Sequence, residues 1–157
     1  MNILFVCTGN TCRSSMAEGI LKSVLKEMNI EGINVSSAGI SVFEGEPANE
    51  KAIVTLNKKG IDIKNHRARQ LTGEIISESD LILTMTESHK KMILNSFPEC
   101  KDKVYTLKEY ACIVSGEEAA GKNSDIDDPY GFNYDVYEKT AEEIKKQLKK
   151  IIAGGMK

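Results

Sequence analysis

The chain opens with an apolar run, Ile3-Leu4-Phe5-Val6, that passes directly into Cys7-Thr8-Gly9-Asn10-Thr11-Cys12-Arg13-Ser14 and then into a helical pattern. Whatever fold follows must begin as strand, tight loop and helix. The loop holds a thiol, five intervening residues, an arginine and a hydroxyl. Such a segment curls its backbone N–H groups around a tetrahedral anion, with the sulfur below and the guanidinium alongside. Arginine's planar fork pairs two phosphate oxygens at once. A helix starting at Ser14 aims the positive end of its dipole at the same point. That field favours the thiolate, the nucleophilic form of cysteine. The plainer role for Cys7, a small apolar residue closing a strand, leaves Arg13 and the Gly9-Asn10 bend unexplained.

The rest of the chain alternates in the same way. Ala17, Ile20, Leu21, Val24, Leu25 and Met28 fall on one helical face. Ser15-Met16-Ala17-Glu18 has capping-box spacing, with Ser14 an equal candidate for the cap. Asn34 to Ser37 reads as a short strand, and Ala48, Ala52, Ile53 and Leu56 as a helix ended by Gly60. Leu81-Ile82-Leu83 is a buried strand, followed by a helix from Thr86 to Ser96; Val104-Tyr105-Thr106 is a further strand, at an edge. Tyr137, Ala141, Ile144, Leu148 and Ile151 build a final amphipathic helix. The polar stretch from Ala111 to Asp128 reads as one long mobile loop, a length that is often functional. This alternation predicts an α/β fold, a parallel sheet covered on both faces. Ligands bind beyond the carboxyl ends of such strands, where Cys7 lies.

With 157 residues, the chain is predicted to form one domain over 1–157 with a core that needs no staples. A net charge of −2 argues against a nucleic-acid surface, and Lys145 to Lys150 reads as the solvated face of a helix. No apolar stretch approaches the roughly 20 residues of a membrane span. The N-terminal run is too short for a signal peptide and lacks a basic leader, so the predicted location is cytoplasmic. The four cysteines are then thiols rather than a disulfide framework. Cys100 and Cys112 lie too far apart for a zinc knuckle, and His66 and His89 are isolated from one another, so no metal site is predicted.

Cleaving a phosphate ester through a thiolate also needs an acid to protonate the departing group. Asp128-Pro129 stands in the polar stretch beside Tyr130 and Gly131, and proline fixes the backbone just after the carboxylate. Taken alone, Asp125, Asp127 and Asp128 read as turn residues. Beside a thiolate–arginine loop, one of them is a catalytic candidate.

The loop, the Met16-Ala17-Glu18 continuation, Ser36-Ser37-Ala38-Gly39 and Asp128-Pro129-Tyr130-Gly131 together resemble the low-molecular-weight protein tyrosine phosphatases over nearly the whole chain. The resemblance implies a three-layer αβα fold with a four-stranded parallel sheet and a metal-independent, cofactor-free, two-step hydrolysis of phosphorylated proteins. It assigns Cys7 as nucleophile, Arg13 as the phosphoryl clamp, and the N–H groups from Thr8 to Ser14, through Gly9, Asn10, Thr11 and Cys12, as the cradle for phosphate or a similar oxyanion. It makes Asp128 the general acid and later the base. It implies that Asn10, Ser37 and His66 hold the loop in shape, that Ser14 bonds the thiolate, and that Phe43 and Tyr130 wall the substrate pocket.

Two positions depart from the tyrosine-directed pattern: Ser15 replaces a common proline, and Thr11 an aliphatic residue. Thr11 and Val104-Tyr105-Thr106-Leu107-Lys108-Glu109-Tyr110 resemble the bacterial protein-arginine phosphatase branch. Phosphotyrosine and phosphoarginine both stay open, with a lean towards arginine. Two other classes compete. Arsenate reductases of this fold relay oxidation through further cysteines, for which Cys12, Cys100 and Cys112 are candidates, although the family's resolving pair sits closer together. A phosphocysteine carrier or phosphopeptide-binding module also presents a thiol after a strand, but it has no use for Arg13 and Asp128. An accessible thiolate next to Cys12 further predicts redox sensitivity.

Overall fold

The structure, a computed structural model, describes residues 1–117 and 123–155. Four strands, β1 (Asn2–Cys7), β2 (Asn34–Gly39), β3 (Leu81–Thr84) and β4 (Val104–Thr106), pair in parallel in the order β2-β1-β3-β4. Around them pack α1 (Arg13–Glu27), α2 (Glu50–Asn57), α3 (Gly73–Glu78), α4 (Glu87–Ser96), α5 (Leu107–Ser115) and α6 (Tyr134–Ala153). A short 3₁₀ turn, Pro98–Cys100, precedes β4.

The central strand explains its own composition. Ile3, Phe5 and Cys7 point into the core cluster that holds Met16, Leu21, Tyr137 and Ile144. Leu4 and Val6 point into the opposite cluster, with Ile76, Ile82, Ile93 and Val104. A strand buried on both faces is apolar without alternation. After β1 the chain turns to β2 on one side, and β3 then pairs on the other. Cys7, paired with Gly39, thus ends β1 at the point where strand order reverses, the crevice where such sheets bind ligands.

The spacing read for α6 holds: Tyr137, Ala141, Ile144, Leu148 and Ile151 are all buried. β4 is an edge strand, as expected. Other expectations need correction. Helix α1 begins at Arg13, with Cys12 as its N-cap and no side-chain cap bond. Neither Ser14 nor Ser15 caps it, because both hydroxyls are used elsewhere; that of Ser15 donates to the Cys12 carbonyl at 2.8 Å. Met28 lies beyond the helix and is exposed. Helix α2 starts at Glu50 behind an Asn49 cap, so Ala48 precedes it. The stretch read as a loop from Ala111 begins as helix α5, driven by a Thr106–Glu109 capping box and the burial of Leu107 and Ala111. Residues 118–122 of that stretch lie outside the described residues. No helix among the described residues is long and apolar enough to cross a membrane.

Candidate active site

The loop from Cys7 to Arg13 is held from outside by its carbonyls. The Cys7 carbonyl accepts from Ile40 N and that of Thr8 from Ser41 N, both at 3.0 Å. The Asn10 carbonyl accepts from His66 Nε2 at 2.6 Å, and that of Thr11 from Asn49 N at 2.8 Å. Cys12 accepts from Met16 N. A trans peptide directs its N–H opposite to its C=O, and the chain has no cis bonds. The N–H groups of Thr8, Gly9, Thr11, Cys12 and Arg13 are therefore turned inward, as an anion cradle requires. Gly39 makes this approach sterically allowed. A Cβ there would lie 2.6 Å from the Thr8 carbonyl oxygen and 3.0 Å from Asn10 N.

Asn10 occupies the left-handed region at φ 58°, which asparagine tolerates better than most residues. Its amide is fully committed. Oδ1 accepts from Arg69 N at 3.0 Å, while Nδ2 donates to Ser14 Oγ at 2.8 Å and Ser37 Oγ at 2.9 Å. Ser37 in turn donates to Glu18 Oε1 at 2.6 Å. Ser14 Oγ accepts from Asn10 Nδ2 and also lies 2.8 Å from Cys7 Sγ, within hydrogen-bond reach of the sulfur. Asn10 is thus linked to Glu18 through Ser37 and to the Cys7 sulfur through Ser14. Ser37 and His66, the loop supports that the resemblance implies, each hydrogen-bond to Asn10.

Arg13 is only 6% exposed. Nη1 donates to the Ile126 carbonyl at 3.1 Å, and Nη2 lies 3.5 Å from Asp128 Oδ2. Asp128 forms the turn that its sequence suggested, accepting from Tyr130 N at 3.1 Å across Pro129. It also lines the cavity, so the turn does not exclude a place at the site. Asp125 instead accepts from Glu87 N at the start of α4 and anchors the segment.

Cys7, Thr8, Thr11, Arg13 and Asp128 share a cavity of about 510 Å³. Phe43 and Tyr130, exposed at 83% and 68%, also line it. Another hollow of about 460 Å³, lined by Ile40, Met92 and Phe97, carries no titratable side chain and has no comparable chemistry.

Cys12 is buried beside Tyr137, Sγ to OH 3.4 Å. Burial pushes its thiol up, and burial together with the bond to Cys12 raises the Tyr137 phenol as well. All four cysteines are free. Cys100 packs with Leu4 and Val6 on the face of the sheet opposite Cys7, which removes it from any direct oxidation relay with that thiol.

Sequence reasoning missed His89. It is 5% exposed, and its Nε2 lies 2.9 Å from Thr8 Oγ1. Burial, and then the Arg13 cation, bring it down to about 4. Glu18, Gly39, Arg69 and Ile126 also act on the loop through tertiary contacts that no local pattern announces.

A family model for low molecular weight phosphotyrosine protein phosphatase matches residues 2–155. A protein-arginine-phosphatase of Bacillus subtilis is 39% identical over 96% of this chain and 94% of its own length. The crystal structure of a low molecular weight protein tyrosine phosphatase from T. tengcongensis superimposes with a TM-score of 0.87 at 43% identity, covering 98% of each chain. The YwlE arginine phosphatase, in a cysteine-to-serine variant with a phosphorylated active-site serine, superimposes with the same TM-score of 0.87 at 37% identity over 98% of this chain and 94% of its own.

Proposed function

The chain belongs to the low molecular weight phosphotyrosine protein phosphatase family, and from that premise we propose a two-step hydrolysis at Cys7 that favours phosphoarginine in proteins. The observation that carries the mechanism is the loop itself, with its carbonyls tied outward, its N–H groups turned inward, and Arg13 and Asp128 across the same cavity.

In the first step the Cys7 thiolate attacks phosphorus and the bond to the leaving nitrogen or oxygen breaks. Asp128 gives that atom its proton. Charge on the three equatorial oxygens is met by the inward N–H groups and the Arg13 fork, donors fixed before the reaction starts. In the second step Asp128 takes a proton from water, the water oxygen bonds to phosphorus, and the P–S bond breaks to return the thiolate and release phosphate. The cysteinyl-phosphate splits one difficult hydrolysis into two easier ones.

Thr11 supports the preference for arginine. It lines the cavity where an aliphatic side chain would offer only apolar contact. Its hydroxyl gives a planar, polar guanidinium a hydrogen-bonding neighbour, and the Bacillus subtilis relative carries the arginine activity in its name. The test is catalytic efficiency on matched phosphoarginine and phosphotyrosine peptides at equal concentration. Higher efficiency on phosphoarginine is expected, and negligible phosphoarginine turnover would place the chain with the tyrosine-directed members.

A further inference from the structure

We propose that His89 is a positioning residue that holds the Thr8 hydroxyl as a hydrogen-bond donor turned into the phosphate pocket. The proposal rests on the reading of that pocket as a phosphoryl site. His89 is the third residue of α4, and its backbone N–H is fixed by the Thr86 hydroxyl at 3.1 Å. Its ring is buried, with Nε2 2.9 Å from Thr8 Oγ1. Nδ1 is the one buried side-chain nitrogen or oxygen without a hydrogen-bond partner among the described residues.

Held down to about 4 by burial and by Arg13, the imidazole carries a single proton at neutral pH. On Nδ1 that proton would make a buried donor with no acceptor, a rare condition in folded proteins, and would place it in a field the Arg13 cation already makes positive. On Nε2 it is used by Thr8 Oγ1, and what stays unpaired is an acceptor, the milder of the two costs. Thr8 then accepts from His89, so its own O–H is free to point elsewhere. Thr8 follows the nucleophile directly and lines the cavity. Its hydroxyl there adds a side-chain donor to the backbone cradle.

The test measures competitive inhibition by inorganic phosphate and kcat/KM on an aryl phosphate for wild type, Thr8→Val, His89→Leu, the double variant and His89→Gln. Thr8→Val and His89→Leu should each weaken phosphate binding and lower kcat/KM about tenfold, the scale of one hydrogen bond to a charged group. The double variant should fall no further than the lower single. His89→Gln, whose amide N–H reaches the same oxygen, should recover most of the loss. Unchanged phosphate inhibition in Thr8→Val overturns the proposal whether or not His89→Leu folds. Additive losses, or a His89→Gln variant as poor as His89→Leu, overturn it too. Variants that match a competent wild type remove this proposal alone, whereas a wild type that neither binds phosphate nor cleaves the ester removes the phosphatase reading beneath it.

Discussion

Cys7 Sγ lies 2.8 Å from Ser14 Oγ, the same hydroxyl that accepts from Asn10 Nδ2 at 2.8 Å. Cys7 therefore sits at the end of a hydrogen-bond network that runs through Asn10, itself fixed by Arg69 N on its carbonyl oxygen.

Asp128→Ala should cost about a hundredfold or more on substrates whose leaving group departs poorly without a proton, the usual range for general acid catalysis. An activated phenol should lose much less. Asp127→Ala should leave both substrates unaffected, because Asp128 is the aspartate that faces Arg13 across the cavity. Steady-state kinetics on a pair of leaving groups decide it; the same pattern in Asp127→Ala would move the acid by one residue.

Thr11→Ile should change the choice of substrate. Isoleucine removes a polar partner from the pocket wall, and a buried polar group left unpaired costs about 1–3 kcal/mol. Phosphoarginine efficiency should fall while aryl phosphate efficiency holds or rises. The readout is the ratio of the two efficiencies before and after substitution, and an unchanged ratio means that Thr11 is not the selector.

Mild peroxide should inactivate the enzyme reversibly by joining Cys7 to Cys12. Oxidation of the thiolate gives a sulfenic acid, which the second thiol displaces with loss of water before over-oxidation sets in. Burial keeps Cys12 protonated and in reserve, its sulfur lying against the Tyr137 hydroxyl. Peptide mapping after peroxide should find the disulfide. Equal recovery of Cys12→Ser and wild type after reductant would contradict a protective role.

Acid should destabilise the fold through His89. Its folded pKa of about 4 lies below the ordinary 6.5, so between these values the unfolded chain binds a proton that the folded one refuses. Stability is full above pH 6.5 and declines as the pH falls towards 4, by about 3 kcal/mol for this group. Burial sets it first and the Arg13 cation second, while Asp125 and Asp128 pull the other way. Denaturant unfolding of wild type and His89→Gln at pH 7 and pH 4.5 should show a smaller acid loss in the variant. Equal losses would contradict the account.

The first strand, its loop and helix α6 were legible because each carries its signal locally: a doubly buried run, a thiol–arginine spacing, and apolar residues three and four apart. The Asn10–Ser37–His66 support came through family resemblance, and its bonds are present in the structure. The second half of helix α5, from Ala111 to Ser115, was read as loop because only Leu107 and Ala111 of the helix are buried, although Thr106 and Glu109 carried a capping signal. His89 was passed over as an isolated histidine, since its partner Thr8 lies 81 positions away. Glu18 looked like a helix cap and instead accepts from Ser37 on the neighbouring strand. Pairings made by the fold leave no periodic trace in the chain.

The most direct test of a phosphoryl group carried on residue 7 is mass spectrometry of Cys7→Ser and Cys7→Ala after incubation with a phosphoarginine peptide. A serine hydroxyl in an intact cradle is a poor nucleophile, and its phosphate ester is a poor leaving partner for water, so turnover should vanish while the phosphoryl group is captured. The account predicts one phosphoryl group at position 7 in Cys7→Ser, none in Cys7→Ala, and no steady-state activity in either. Full turnover by Cys7→Ala, or a phosphoryl group found at another residue while position 7 stays bare, would contradict it.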